Sequence, residues 1–338
     1  WVAQGYVHNR WMLGMALENE LYAVVKSLSS FHLFFEFTIT PHRFCQFVSW
    51  GCMSGATLYL LKKFPGKTAL TFCTLTPLWL TLTAGYIEYY PLIAALLPCL
   101  LAYSLYSEKM TTNTYWLIGL ASAILAAAYI GFIPIAAIVL VYFLLRQPAN
   151  FIVLFLGALV SFSIITRLFY ESPAHYLSSL PASMNLGDTN SVVQYRGLAA
   201  SDSSIFFKIS YALSWQHTKE LLRMYFVAGG LVHLSALLYI LIANFKSLPK
   251  LLIARHNALL TAITAWLWFY FIFMIPKLGP VQDVDLFFAT YIVTAFFLGH
   301  CIDALPHINK KRIYALIAGN AALSFYLLSV VGIDKISA

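Results

Sequence analysis

Charge is what this sequence has least of. Only 10% of its 338 residues are charged and 61% are hydrophobic, whereas a soluble domain carries about 25% charged residues. A water-soluble fold of this length could not cover so much apolar surface with so few charges. The composition therefore argues against a soluble domain and predicts an all-α fold, a polytopic bundle of transmembrane helices.

Paired cysteines of the kind that hold zinc or carry out redox chemistry are missing as well. All five cysteines lie inside apolar runs, and no two of them have the C-x-x-C spacing. We expect these side chains to pack as small apolar residues, and we predict no disulfide.

Long uncharged stretches predict where the chain crosses the bilayer. A spanning helix needs about 20 apolar residues, and the stretches of suitable length are 44–61, 68–87, 89–107, 147–166, 224–245, 256–276, 286–302 and 313–333. A further stretch, 110–145, is too long for one span, and Gly131 and Pro134 lie near its middle, where a helix would break. We predict two spans there, 114–129 and 132–146, and about ten spans in all.

The distribution of positive charge favours this count. With ten spans the basic residues of the short loops gather on one side, and the opposite short loops contain only Lys277. Because cytoplasmic loops collect Lys and Arg, the basic side is predicted to be cytoplasmic. The net charge of +8 is thereby explained without a nucleic-acid partner. The residues on the basic side are Lys62, Lys63, Lys67, Lys109, Arg146, Lys246, Lys250, Arg255, Lys310, Lys311 and Arg312.

The predicted topology divides the chain into four segments. The first is an extracytoplasmic juxtamembrane segment with an amphipathic helix, which either lies on the membrane surface or packs against other external loops. In the third, Ser214 is expected to cap a helix that runs through His217. The four are the juxtamembrane segment (1–40), transmembrane helices 1–6 (41–166), an extracytoplasmic loop (167–223) and transmembrane helices 7–10 (224–338).

Carboxylates in two external hairpins are the candidate catalytic residues. They are Glu88 in the hairpin 85–91 and Asp283 and Asp285 in the hairpin 279–286. A carboxylate at the edge of the hydrocarbon is costly unless it is paired, hydrated or binding something. Both hairpins are predicted on the same side, so the three acids could share a cavity. Alternatively, Glu88 pairs with an arginine or binds backbone amides, and the aspartates cap the following helix.

Metal and phosphate binding are the chemistries that these surroundings suggest. Asp283-x-Asp285 would suit Mg²⁺ or Mn²⁺, which prefer oxygen ligands, so a divalent cation is a candidate cofactor. Basic residues on the same side include His217, Arg223 and Lys277. Arginines near a membrane interface suit bidentate recognition of phosphate, although most such groups would serve as headgroup anchors or solvated loop charges.

Three segments resemble those of bacterial multi-spanning glycosyltransferases of the GT-C type. In chain order they are similar to the family's G-Y-V-E-x-Y-P, S-x-x-H and R-D-W-D-L-F segments, and the resemblance covers most of the chain. The sequence departs from the family at Gln282 and Val284, where Arg and Trp are typical, and at Glu220 and Arg223, which replace Asp and Asn. The segments are Gly85-Tyr86-Ile87-Glu88-Tyr89-Tyr90-Pro91, Ser214-Trp215-Gln216-His217 and Gln282-Asp283-Val284-Asp285-Leu286-Phe287.

The resemblance implies an enzyme with a GT-C-like fold. Such an enzyme moves a sugar from a polyprenyl-phosphate donor to a lipid, glycan or protein acceptor at the outer face of a bacterial cytoplasmic membrane. A carboxylate would activate the acceptor hydroxyl, and cations would stabilise the leaving phosphate. The implied catalytic or metal-binding residues are Glu88, Asp283 and Asp285, and the implied substrate-binding residues are Tyr86, Tyr89, His217, Arg223 and Lys277.

The usual catalytic acid of this family lies in the first external loop, which is not visible here. Because the chain begins at Trp1 without Met or a signal peptide, we expect that a preceding segment is missing. The absence of that acid keeps open a non-catalytic membrane subunit of a larger complex. A transporter or lipid flippase is the other alternative, although it would need ionisable residues at mid-membrane and matched broken helices in two repeats.

Overall fold

The computed structural model describes the chain in separate stretches. Every regular element within them is helical, which confirms the all-α fold class for the described residues. The described residues are 23, 41–74, 79, 90–107, 109–128, 130–170, 172–174, 176–177, 210, 212–225, 231–244, 257–273, 288–305, 309, 311, 313–315, 318–319, 322 and 326.

Apart from the amphipathic α7, the helices with defined bounds follow the apolar stretches of the sequence. In chain order they are α1 (Pro41–Lys63), α2 (Thr68–Thr74), α3 (Tyr90–Tyr106), α4 (Thr112–Ala128), α5 (Ile133–Arg146), α6 (Pro148–Tyr170), α7 (Trp215–Tyr225), α8 (Leu231–Asn244), α9 (Ala258–Phe273) and α10 (Phe288–Ala304). The chain divides into two compact units. Unit 1 comprises 1–63 and 81–184, and unit 2 comprises 64–80 and 185–338.

The long uncharged stretch 110–145 is broken into two helices, as the sequence predicts. α4 ends at Ala128, a short 3₁₀ turn covers Ile130–Phe132, and α5 begins at Ile133. Pro134 lies in the first turn of α5, where its missing N–H costs no helical hydrogen bond. The proline therefore starts the second helix after the break.

The predicted span 224–245 contains parts of two described helices. Residues 224 and 225 belong to α7, and α8 covers Leu231–Asn244, while residues 226–230 lie outside the described residues. Of the predicted span 68–87 the structure describes α2 and residue 79, and most of 313–333 lies outside the described residues.

In unit 1, α4 and α6 run parallel and touch at their backbones. A Cβ added to Gly119 would lie 2.6 Å from the carbonyl oxygen of Leu154. Near the start of both helices the Tyr115 hydroxyl donates to Gln147 and accepts from Asn150 Nδ2 at 3.3 Å. Small residues allow helices to approach this closely. The parallel pairing requires α5 to return between them.

The far end of this pair is fixed by Tyr176, which follows α6. Its hydroxyl donates to the carbonyl oxygen of Ala126, near the end of α4, at 2.6 Å. Burial raises the pKa of Tyr176, so this hydroxyl stays protonated and remains a donor. The hydrogen bond thus ties together the ends of α4 and α6 that lie away from Gln147.

In unit 2, α10 is the central helix and α2 packs against its end. A Cβ on Gly299 would lie 2.5 Å from the Cα atom of Ala69. The carboxylate of Asp303 accepts from the backbone N–H of Thr68 at 2.8 Å and from the Thr68 hydroxyl. Asp303 therefore caps α2 from a different helix, and residues 68 and 303 lie at the same end of unit 2.

α9 is antiparallel to α10 and is joined to it along its length. At one end His300 Nε2 donates to Asn257 Oδ1 at 2.9 Å. Farther along, Trp268 Nε1 donates to the hydroxyl of Thr294 at 3.1 Å, and the hydroxyl of Thr290 donates to the carbonyl oxygen of Leu267 at 3.2 Å. The polar side chains of α10 are thus used for bonds to its neighbours.

Within the described residues, one helix is long and apolar enough to cross a membrane. It covers Pro148–Leu168, and only 22% of its most apolar window is buried. Exposed side chains along it include Ile152, which is 62% exposed, and Leu168, which is 71% exposed. Shorter apolar helices of 10–17 residues are Ile93–Tyr106, Thr112–Ala128, Ile133–Arg146, Ala258–Phe273 and Phe288–Ala304.

Candidate functional site

His217 is the one residue of the predicted site whose side chain the structure describes. Arg223 lies in α7, where the helix is defined and its side chain is not. The remaining predicted residues lie outside the described part of the chain, and the proposed metal pair lies there with them. These residues are Tyr86, Glu88, Tyr89, Lys277, Asp283 and Asp285.

α7 begins at the residue that the sequence predicts. The hydroxyl of Ser214 accepts from the backbone N–H of His217 at 3.1 Å, which is the bond of an N-cap. The predicted cap is therefore confirmed. One face of α7 is buried through His217 and Leu221, while Trp215 is 70% exposed. The ammonium group of Lys219 lies 6.0 Å from the centre of the Trp215 ring on that outer side.

The imidazole of His217 joins α7 to the end of α9. The ring is completely buried, and its Nε2 lies 2.9 Å from the carbonyl oxygen of Ile272. Because a carbonyl oxygen can only accept, Nε2 must carry the proton. Ile272 is the residue before Phe273, where α9 ends. His217 therefore fixes the position of α7 relative to the point where the chain leaves α9.

The chain that leaves α9 carries Asp283 and Asp285 in the second predicted hairpin, which lies outside the described residues. Lys277 follows Ile272 by five positions, and Asp285 precedes the start of α10 at Phe288 by three. The S-x-x-H segment and both ends of this connection are thus anchored at one end of unit 2. The sequence predicted only that these segments share a side, and the bond to Ile272 supplies a physical link between them.

An aromatic cluster that the sequence does not reveal lies close to this end. It is formed by Tyr225, His233, Trp268, Phe271 and Tyr291, from α7, α8, α9 and α10, and we call it the Tyr225 cluster. The Tyr225 ring centre lies 5.3 Å from that of Trp268 and 5.8 Å from that of Tyr291. The Tyr225 hydroxyl and His233 Nδ1 share a hydrogen bond of 2.8 Å.

Burial makes the polar atoms of this cluster costly. His233 and Tyr291 are almost fully buried. The Tyr291 hydroxyl has no hydrogen-bond partner among the described residues, and such an atom costs about 1–3 kcal/mol. Phenylalanine would pack as well without this cost. The cluster therefore retains polar groups beyond what packing requires, which makes it a candidate part of the site.

This cluster could not be predicted from the sequence because its members are far apart in the chain. His233 alone looks like a packing residue, since it lies in an apolar stretch with no ligand spacing. Only the convergence of four helices gives it Tyr225 as a partner. The one available signal was that Tyr225, His233, Phe271 and Tyr291 all fall in the halves of their stretches that the topology predicts to be external.

The described residues contain no group of three or more His, Cys, Asp or Glu side chains that could hold a metal ion. No protein-family model matches the chain, and neither a curated protein nor a solved structure matches it. A function must therefore rest on the chain's own residues and their geometry.

Proposed function

We propose that the chain is a polytopic membrane glycosyltransferase of the GT-C type that uses a polyprenyl-phosphate sugar donor. Its reaction site lies on the outer side of the membrane, where the sequence predicts the hairpins of Glu88 and of Asp283 and Asp285. The observation that carries the proposal is the bond from His217 to Ile272, which joins the S-x-x-H segment to the end of α9, seven residues before the predicted hairpin of Asp283 and Asp285.

Exposed apolar surface supports the membrane part of the proposal. Ile152, Phe155, Leu159 and Ile164 follow one another along α6 and are all exposed. In water so much exposed apolar surface on one helix would favour aggregation, whereas lipid is a suitable solvent for it. The core helix of a soluble protein would bury these side chains.

The ends of unit 1 support the predicted orientation. The hydrogen bond between Tyr59 and Tyr103 brings together the last turns of α1 and α3. The bond from Tyr115 to Gln147 likewise joins the start of α4 to the end of α5. Lys62, Lys63, Lys109 and Arg146 therefore share one end, and Arg167 lies at the other. This asymmetry is typical of a cytoplasmic and an outer side.

The proposed reaction divides the work between carboxylates and cations. The acceptor hydroxyl attacks the sugar carbon that bears the phosphate, the bond from that carbon to the phosphate oxygen breaks, and a carboxylate takes the hydroxyl proton. Glu88, Asp283 and Asp285 orient the sugar or a divalent cation. Arg223 and Lys277 stabilise the phosphate that leaves with the polyprenyl chain. His217, held by Ile272, positions the helix that carries Arg223.

The test replaces single carboxylates without changing their size. We expect Glu88→Gln and Asp283→Asn each to lower sugar transfer by about 100-fold or more, because each removes a charged group from the reaction site. The measurement is transfer of labelled sugar from polyprenyl phosphate to membrane lipid, glycan or protein, using membranes that contain the full chain. The matched control is Asp202→Asn, which changes an acid of the long polar loop outside the three segments.

Unchanged transfer in both variants, at equal amounts of folded protein, would contradict the site. A loss of the same size in the Asp202 control would show that the effect is not specific to the site. Ion-coupled uptake of a substrate into sealed vesicles, without any sugar transfer, would favour the transporter instead.

A further inference from the structure

A small cavity in unit 1 lies between α1, α3 and α4, and none of the residues assigned to the proposed reaction lines it. Its volume is about 150 Å³. Six of its lining residues define its walls: Tyr59 from α1, Leu96, Leu100 and Tyr103 from α3, and Leu117 and Ala121 from α4. Apolar cavities of about this size accept guests as large as benzene. A short length of hydrocarbon chain therefore fits it.

The cavity has an apolar interior and a polar rim. The polar rim consists of the Tyr59 and Tyr103 hydroxyls, which bond to each other, with the two rings stacked at 6.4 Å between centres. Tyr59 is 47% exposed and Leu117 is 50% exposed. The cavity therefore opens onto the outer surface of unit 1 beside the tyrosine pair.

Positive charge lies next to this opening. Lys62 and Lys63 follow Tyr59 by three and four positions, so they lie on the same face of α1, about one turn farther along. Both are exposed, as is Lys109, just beyond the end of α3. One acid, Glu108, directly precedes Lys109 in the sequence, so these four residues together carry a net positive charge.

The long axis of the cavity leads away from these charges. From Tyr103 to Leu96 the wall follows seven residues of α3, which is about 10 Å along a helix. On α4, which begins at the same end, the wall runs from Leu117 inward to Ala121. A molecule with an anionic head at the lysines would place an attached hydrocarbon chain along the cavity.

We propose that this cavity binds a short segment of one acyl chain of an anionic phospholipid, whose phosphate lies against Lys62 and Lys63. The inference rests on the membrane part of the proposed function and is independent of sugar transfer. The site lies at the basic end of unit 1, which the charge distribution assigns to the cytoplasmic leaflet. Basic residues at a membrane surface attract anionic headgroups, and the cavity adds an apolar contact that a bilayer surface lacks.

The first experiment tests the charge. The full-length chain is purified from bilayers that contain phosphatidylcholine and phosphatidylglycerol, and the lipids that stay bound are identified and titrated by native mass spectrometry. We expect preferential retention of phosphatidylglycerol, and about 30-fold weaker binding in the double variant Lys62→Gln, Lys63→Gln. The control is Lys311→Gln, an exposed lysine of unit 2, which should bind the lipid like the original chain.

The second experiment tests the cavity itself. Ala121→Leu fills part of it from the α4 wall, and we expect it to abolish retention of the lipid. The matched control is Leu120→Phe, which enlarges an exposed neighbour on the same helix. This variant should still retain the lipid. Equal retention of both lipids by the original chain, or unchanged retention in the double lysine variant, would overturn the proposal. Neither result depends on whether the chain transfers sugar.

Discussion

α6 in unit 1 and α10 in unit 2 are both apolar helices, yet their side chains meet different surroundings. Along α6, side chains from Ile152 to Leu168 are exposed at regular intervals. In α10 almost every residue from Phe288 to Ile302 is buried. Hydrophobicity alone therefore does not distinguish a helix that packs inside the protein from one that presents an apolar face outward.

Hydrogen bonds make the distinction that hydrophobicity does not. The side chains of Thr290, Thr294 and His300 on α10 form hydrogen bonds with α9, so its polar groups are paired with a neighbouring helix. On α6, Asn150 bonds to Tyr115 of α4 near the start of the helix, whereas the hydroxyl of Thr166 returns to the carbonyl oxygen of Phe162 in the same helix. A stretch of helix whose polar groups are satisfied internally can present its outer face to lipid.

The largest expected effect comes from a charge on the outer face of α6. Leu159 lies 11 residues after Pro148, about 16 Å along the helix and so near the middle of a bilayer. We expect Leu159→Arg to disfavour membrane insertion by about 3 kcal/mol. The measurement is the fraction of the chain that resists alkaline extraction from membranes.

Ala149→Arg is the matched control, because it places the same charge at the exposed start of α6 beside Arg146. It should insert normally. If Leu159→Arg changed neither insertion nor stability, the outer face of α6 would be in contact with water, and the membrane proposal would fail.

A smaller effect is expected from the glycines of the two helices. In α10, a Cβ on Gly299 would meet backbone atoms of Thr68 and Ala69, which cannot move without shifting α2. We expect Gly299→Ala to destabilise the protein by about 2 kcal/mol. In α6, a Cβ on Gly157 would meet the ring of Trp116, a half-exposed side chain that can turn away.

Unfolding in detergent would measure this difference. Gly157→Ala should cost clearly less than Gly299→Ala, and Gly55→Ala should cost nothing, since no atom lies within 4 Å of its added Cβ. Equal losses at Gly299 and Gly55 would show that α2 and α10 are not in close contact.

The smallest effect concerns the threonine hydroxyls. Thr294→Val leaves the indole N–H of Trp268 without its acceptor, and we expect a loss of about 1 kcal/mol. Thr166→Val removes a hydroxyl that bonds only within its own helix, so it should be nearly neutral. Both changes are measured by the same unfolding experiment. A larger loss of stability for Thr166→Val than for Thr294→Val would contradict the roles given to the two hydroxyls.

Local features of the fold could be predicted from the sequence. The break before Pro134 and the cap at Ser214 follow from rules that act within one or two turns of helix, and both are present in the structure. The predicted span 224–245 includes the last two residues of α7 as well as α8, because an apolar stretch has no sharp boundary when it follows an amphipathic helix. Hydrophobicity locates a helix better than it locates the ends of that helix.

Contacts between distant helices could not be predicted. Gly299 facing Ala69, and Tyr225 facing His233, depend on which helices become neighbours and how they are rotated. A count of charges predicts the side on which a loop lies, but it does not predict which helices become neighbours. Of the predicted site, the sequence identified His217 as a residue of interest, and the structure adds the Ile272 carbonyl oxygen as its partner.

The junction of α5 and α6 has a consequence for how the chain is made. α5 ends at Arg146 and α6 begins at Pro148, so Gln147 alone joins them. A ribosome that synthesises this region delivers the two helices as one hairpin, with a single residue between them. The hairpin carries two charged residues, Arg146 at its turn and Arg167 near the end of α6. If the proposed membrane insertion holds, the orientation of the hairpin during synthesis depends on these two guanidinium groups.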